Sequence, residues 1–250
     1  MIRGGMVLER EYSETSISIP VSSTRTTSGM LAEPRGKGKK TAIIVAHGAG
    51  NDMTTPLIEA FARGMAAAGY PALRFNFLYA NEGKRSPDSQ GVLVKTWTAV
   101  YEYAQSVLDL RADSWVAAGK SMGGRIASQM AADGVLPVDR LVFLGYPLHR
   151  ANDTGSLRDS HLYRIKVPML FFAGTRDPLC NLAKLENVLQ RIDAPHQLHT
   201  IEGGDHSFHV PKSLHRTEND IYDEIVAESS KWLSKYVNKT RNSLQPGIIL

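Results

Sequence analysis

Residues 119–123 read Gly-Lys-Ser-Met-Gly, and an apolar run, Trp115-Val116-Ala117-Ala118, leads straight into them. Glycines two before and two after a serine remove the side chains that would collide in a tight strand-turn-helix. The pattern predicts that Ser121 is lifted to the end of a buried strand and that a helix starts near Gly123. On its own the pentapeptide is common by chance. Its surroundings are not: Asp177 follows a later apolar strand, His206 follows the next one, and His47-Gly48-Ala49-Gly50 follows an early one. In chain order the polar groups run serine, aspartate, histidine.

The rest of the chain alternates strand and helix. Residues 14–22 alternate apolar and polar, as a half-exposed edge strand does. Residues 24–40 read as a turn, a weak strand around Met30-Leu31 and a basic linker. The continuous apolar run 41–46 has the mark of a parallel strand covered on both faces. A helix is predicted from 56 to 68, with Leu57, Phe61 and Met65 at helical spacing and Gly69 as its stop. Then come a strand at 70–77, a polar loop at 79–91, a helix at 92–110, the strand at 115–120 and a helix at 123–133. Short strands at 141–144 and 169–173, a helix at 184–191, a strand at 197–201 and a closing amphipathic helix at 217–237 complete the pattern.

This alternation predicts an α/β fold, a mainly parallel central sheet flanked by helices on both faces. The 250 residues suit one large domain, with a core at about 14–237 and loosely held ends at 1–13 and 238–250. Only residues 145–168 join two of the central strands. They leave room for a loop and a turn of helix but no cap domain, so the site is expected to be open.

Composition excludes several function classes. With 42% hydrophobic and 22% charged residues the chain is ordinary globular protein. Part of its net charge of +4 sits in Arg35, Lys37, Lys39 and Lys40, which read as a solvated linker. No aromatic residues are interleaved with them, so no nucleic-acid partner is expected. The only cysteine, Cys180, excludes an intramolecular disulfide and a thiolate metal cluster. Met1-Ile2-Arg3-Gly4-Gly5 opens no apolar leader and no run approaches ~18 apolar residues. A cytoplasmic protein without a membrane partner is the expectation, and the Asn152-Asp153-Thr154 and Asn238-Lys239-Thr240 sequons then carry no weight. Gly119-Lys120-Ser121 resembles the end of a phosphate-binding loop, but the required earlier glycine is Ser114. Gly48-Ala49-Gly50 begins a dinucleotide fingerprint whose third glycine is replaced by Met53. No two histidines stand at the i, i+4 spacing of a metal site. Neither metal nor cofactor is expected.

A serine hydroxyl needs a base to take its proton as it attacks. His206, in the glycine-loosened loop Glu202-Gly203-Gly204-Asp205-His206, is the candidate, with His209 in the same loop as the substitute. The base needs an acid to fix its tautomer. Asp177, in a turn marked by Gly174 and Pro178, is preferred to Asp205, whose side chain diverges from its sequence neighbour. A surface ion pair with Arg176 is the bland reading of Asp177. Donors for the developing oxyanion are expected from the backbone N–H groups of Met122 and Ala49, with Gly50 as the alternative to Ala49. His47 is expected to support the loop rather than carry protons.

These segments resemble the α/β-hydrolase superfamily, in particular its small cap-less branch similar to dienelactone hydrolases. The chain is also similar to predicted hydrolases that include a subunit of a chromatin-acetylating complex. The resemblance rests on His47-Gly48-Ala49-Gly50, Gly119-Lys120-Ser121-Met122-Gly123-Gly124-Arg125 and Gly145-Tyr146-Pro147-Leu148-His149. It continues through Leu157-Arg158, His161-Leu162, Gly174-Thr175-Arg176-Asp177-Pro178 and Gly204-Asp205-His206-Ser207-Phe208. Dienelactone hydrolases carry a cysteine where this chain has Ser121. The resulting expectation is a serine hydrolase acting on a small carboxylic ester or thioester, with Ser121, Asp177 and His206 as catalytic residues. A peptidase or acyltransferase would use the same three groups, and an interaction module on the same fold is the reading from another class. The sequence leaves the oligomeric state open.

Overall fold

The computed structural model describes residues 11–108 and 112–236. Eight strands form one sheet: β1 (Tyr12–Pro20), β2 (Thr26–Pro34), β3 (Thr41–Ala46), β4 (Ala72–Phe75), β5 (Ser114–Lys120), β6 (Arg140–Leu144), β7 (Met169–Gly174) and β8 (His196–Ile201). Their order is β1-β2-β4-β3-β5-β6-β7-β8. From β4 through β8 every pairing is parallel, while β1 and β2 add an antiparallel hairpin at the β4 edge. The helices are α1 (Pro56–Ala67), α2 (Leu78–Asn81), α3 (Gln90–Leu108), α4 (Met122–Ala132), α5 (Leu182–Leu189) and α6 (Glu218–Ser234).

Period-two side-chain alternation explains why the central strands are apolar throughout. In β3, Ala42, Ile44 and Ala46 join the core under α3, α4 and α5, with Trp97, Ile126 and Val188. Ile43 and Val45 join the opposite core, with Phe61 of α1 and Ile225 and Trp232 of α6. Phe171 and Phe172 of β7 divide in the same way, both fully buried. Removing either ring to alanine would cost about 3–5 kcal/mol. Local signals set the helix ends: Pro56 occupies the first turn of α1, Asn181 caps α5, and Thr217 and Asp220 form a reciprocal capping box on α6.

The structure differs from the sequence expectation in some local features. The weak strand at Met30-Leu31 is the nine-residue β2, paired along its length with β1, which starts at Tyr12. Thr26, Thr27, Ser28 and Gly29 blur its apolar pattern: Thr26 is exposed and Ser28 half-buried, while the buried positions are filled by Thr27 and Gly29 rather than by large apolar residues. The polar loop 79–91 contains most of α2, and α3 starts at Gln90. The strand expected at 70–77 shortens to β4. The expectations for residues 1–10, for 238–250 and for the end of the helix at 109–110 lie outside the described residues. Between β6 and β7 stand one isolated bridge, Arg150 to Asp153, and one 3₁₀ turn, Leu162–Arg164, with no further helix or strand. The carboxyl edge of the sheet is thus left uncapped there.

Candidate active site

Ser121 stands alone between β5 and α4 with φ 49° and ψ −113°. Backbone strain of this kind costs about 1–3 kcal/mol and persists only where the surroundings over-determine it. Here β5 is held by β3 and β6 on its two sides, and α4 packs directly behind the turn. A β-carbon on Gly119 would lie 2.3 Å from the Gly124 nitrogen, and one on Gly123 would lie 2.6 Å from the His47 carbonyl oxygen. Only glycines let the chain reverse this closely.

The predicted polar partners meet at the serine. His206 Nε2 lies 2.8 Å from Ser121 Oγ, and His206 Nδ1 lies 2.7 Å from Asp177 Oδ2. A carboxylate only accepts, so the imidazole hydrogen facing it resides on Nδ1. Nε2 then presents its lone pair to the serine O–H. The Asp177 side chain is fully buried and its Oδ1 accepts the Leu179 N–H at 2.7 Å. Two bonds tie the loops together: Gly203 N–H donates to Thr175 Oγ1 at 2.7 Å, and Arg176 N–H donates to the Gly204 carbonyl at 2.8 Å.

The alternatives occupy other positions. Asp205 Oδ1 accepts from the Ser207 and His209 N–H groups, closing the histidine loop on itself. His209, more than half exposed, faces Asp205 and Glu218. Arg176 is exposed and forms no ion pair with Asp177 among the described residues. Cys180 is buried, and burial pushes its thiol up to about 12, which leaves it inert as a nucleophile.

Met122 opens α4, so its N–H has no partner inside the helix. Ala49 and Met122 line the same cleft as Ser121. The orientation of the Ala49 N–H follows from its neighbours. The Gly48 carbonyl accepts from His47 Nδ1–H at 2.8 Å and from the Tyr79 hydroxyl at 3.1 Å. In a trans peptide the C=O and the following N–H point opposite ways, so anchoring that carbonyl turns the Ala49 N–H away from His47 and Tyr79. Gly50 follows at φ 73°. His47 is fully buried, its Nε2 accepts the Phe77 N–H at 3.0 Å, and burial pulls its pKa down to about 4. Tyr79 is a support that sequence reasoning missed, because nothing local marks which tyrosine will reach back to residue 48.

The cleft beside Ser121 has a volume of about 380 Å³ and adds residues the motifs did not single out as functional: Asp88, Leu93, Arg125, Ile126, Arg158 and Leu179 among them. Arg125 and Arg158 were present in the quoted segments, but no spacing rule brings positions 33 residues apart to one cleft. Lys120 is buried next to the serine, and burial pulls its ammonium down to about 8 against the opposing pull of Asp177 and Asp205.

Comparison with known proteins agrees with this architecture. Residues 39–234 match the family model described as "Alpha/beta hydrolase domain". The fold is similar to that of a dienelactone hydrolase from Anabaena variabilis (TM-score 0.69, 21% identity, covering 90% of this chain and 99% of that one). It is also similar to a Xanthomonas campestris protein described as an α/β serine hydrolase without lid (TM-score 0.64, 21% identity, 89% and 95%). A third similar structure is an esterase domain from Rhodothermus marinus (TM-score 0.68, 15% identity, 90% and 100%).

Proposed function

The chain belongs to the α/β-hydrolase domain family, and on that premise we propose that it is a serine hydrolase cleaving a small carboxylic ester or thioester through an acyl-enzyme. The observation that carries this reading is the unbroken relay from Ser121 Oγ through His206 to the buried Asp177 carboxylate. In the first step Ser121 Oγ attacks the carbonyl carbon while His206 Nε2 takes its proton. The carbonyl π pair becomes an oxyanion, held by the N–H groups of Ala49 and Met122. Collapse expels the alkoxide or thiolate, which takes the proton from His206 Nε2 and leaves the acyl group on Ser121. Water then repeats the sequence, giving its proton to His206, and the acid is released as Ser121 recovers its hydrogen. Asp177 keeps the imidazole in the required tautomer and stabilises the imidazolium formed at each attack.

Every proton and charge in this sequence is handled by groups of the chain itself, so the reading needs no cofactor or metal. It includes a single domain over the chain, a small-molecule substrate, a cytoplasmic setting and no nucleic-acid partner. Among the described residues no helix is long and apolar enough to cross a membrane. An ester or thioester is preferred to an amide because an esterase domain is among the similar folds, although a peptidase would use the same three groups and the same proton transfer by the histidine. The test is labelling with a fluorophosphonate followed by mass-spectrometric mapping. The expected result is modification of Ser121 alone, lost in Ser121→Ala together with ~10³-fold or more of the turnover of p-nitrophenyl esters. Undiminished hydrolysis by folded Ser121→Ala protein would overturn the proposal.

A further inference from the structure

Lys120 closes β5 one residue before Ser121 and is only 6% exposed. Side chains alternate along a strand, so Lys120 follows Val116 and Ala118 to the face covered by α1 and α6. Its stem passes Gly48, where a β-carbon would lie 3.4 Å from Lys120 Cγ. Its head reaches Gly145, just beyond β6 at φ 75°, where a β-carbon would lie 3.3 Å from Nζ and 3.2 Å from the His206 carbonyl oxygen. The Phe208 ring centre lies 6.0 Å from Nζ. The ammonium thus stands behind the histidine loop, and Lys120 is not among the residues that line the cleft.

Among the described residues no hydrogen bond or ion pair holds Nζ. An ammonium withdrawn from water without such partners is destabilising, and a methionine would fill the same space without that cost. Burial is the main cause that brings its pKa down to about 8, while the charges of Asp177 and Asp205 act the other way, so at neutral pH the group keeps its proton. The groups that face it come from four loops. The loop after β7 brings the fully buried Asp177 carboxylate, and the loop after β8 brings His206 and the partly exposed Asp205, whose charge water screens. The loops after β3 and β6 bring the uncharged Gly48 and Gly145, and His47 beside Gly48 stays neutral down to about pH 4. Asp177 is therefore the main charge that Lys120 meets.

We propose, building on the serine-hydrolase reading, that Lys120 is a positioning residue for the relay: its ammonium offsets the Asp177 charge and so keeps His206 free to accept the serine proton. A buried carboxylate bonded to Nδ1 favours the imidazolium. Left unbalanced, Asp177 would hold a proton on Nε2, and an imidazolium cannot act as the base. A cation close behind both loops repels that proton through a medium of low dielectric, where charges act strongly. The charges of the site then balance at both ends of the first step. Before attack Lys120 cancels Asp177, and after it the imidazolium cancels the oxyanion. Lys120 touches no substrate and carries no proton between groups, so the bond-making steps at Ser121 are unchanged.

Kinetics and spectroscopy test this separately. In pH profiles of kcat/KM for p-nitrophenyl butyrate, Lys120→Met should move the acid limb up by about one pH unit and lower the alkaline plateau less than ~10-fold. Lys120→Arg keeps the charge and should leave the acid limb where the wild-type protein has it. A lysine that only filled space would change Tm or the plateau and leave the limb in place. Rates of fluorophosphonate labelling should follow the same limb, whatever ester is chosen. In Ser121→Ala protein, which does not turn over, NMR of the lysine ¹³Cε signals reads the ammonium itself. The signal that disappears in Ser121→Ala/Lys120→Met should titrate near pH 8. Adding Asp177→Asn to the Ser121→Ala protein should lower that midpoint by about half a unit or more. Thermal melts identify any variant that fails to fold, and the NMR titration of Ser121→Ala decides without the Lys120 variants' activity. An acid limb unmoved by Lys120→Met, or moved equally by Lys120→Arg, would overturn the assignment. So would a Lys120 midpoint near 10.5, or one indifferent to Asp177→Asn. Absence of turnover and labelling with the NMR coupling intact would instead overturn only the hydrolase reading.

Discussion

Gly174 and Gly204 press backbone against backbone: a β-carbon on Gly174 would stand 2.1 Å from the Gly204 carbonyl oxygen. This contact joins the end of β7, which leads to Asp177, to the end of β8, which leads to His206. The same carbonyl accepts the Arg176 N–H, and the Thr175 hydroxyl accepts the Gly203 N–H. The aspartate–histidine bond is thus set by two loops locked together before either side chain is considered.

Gly174→Ala should separate those loops. The obstacle is main chain and cannot rotate aside, so the histidine loop must move by about an ångström. Misplacement on that scale costs on the order of 10²-fold in turnover. The expected outcome is a protein with retained helical and sheet signals in circular dichroism, a lower Tm, and kcat reduced at least that far. A variant with wild-type kcat would show that the loop contact does not govern the relay.

Asp177→Asn and Asp205→Asn separate the relay acid from its neighbour. An amide at 177 can donate to His206 Nδ1 and so favour the wrong imidazole tautomer, which should cut kcat by up to ~10⁴-fold with the fold intact. Asp205→Asn retains an oxygen for the Ser207 and His209 N–H groups and should cost far less. If the order came out reversed, the acid would be Asp205 and the present geometry would not describe the working site.

Acyl-chain length follows from the uncapped edge. The cleft beside Ser121 offers about 380 Å³ and no tunnel-forming insertion covers it. A site of that size buries a short acyl group but leaves a long chain in water. Acetyl to hexanoyl p-nitrophenyl esters should therefore be cleaved with higher kcat/KM than dodecanoyl ones. A steady rise in kcat/KM up to roughly twelve carbons would contradict this reading.

Much of this architecture was legible because its signals are local or periodic. The glycines at 119 and 123 and the apolar runs of β3 and β7 each imply their structure within a few residues, and the serine, aspartate and histidine each follow a strand in the expected chain order. In the 47–50 loop the sequence pointed to Ala49, with Gly50 as the alternative, but the Tyr79 hydroxyl that holds the Gly48 carbonyl had no local signal. β2 was underestimated because Thr26, Thr27, Ser28 and Gly29 give it a mixed surface, and its pairing with β1 is what defines it. Arg125 and Arg158 are neighbours only in space, linked by Ser128 of α4 and by Tyr146 and His161 of the β6–β7 connection. Such tertiary convergence has no sequence period to reveal it.

Acid should destabilise the fold through His47 and His161. Burial is the main cause that pulls each pKa from 6.5 to about 4, with Arg164 and Arg125 adding to it at His161 and Asp52 opposing it at His47. Because the folded pKa lies below the unfolded one, the unfolded chain binds more protons between about pH 6.5 and 4, and stability falls as pH falls through that window. The loss should reach about 2 kcal/mol for each histidine near pH 5. Protonation also has a local target at His47, where a new hydrogen on Nε2 would oppose the Phe77 N–H and loosen the loop that presents Ala49. Urea midpoints measured from about pH 7.5 to 5 should therefore decline. His161→Gln, compared with its own value at neutral pH, should decline less, since one titrating group is gone. Stability that stayed flat down to pH 5 in the wild-type protein would mean that both histidines accept protons in the folded state, and that the carbonyl anchor at Gly48 does not depend on neutral His47.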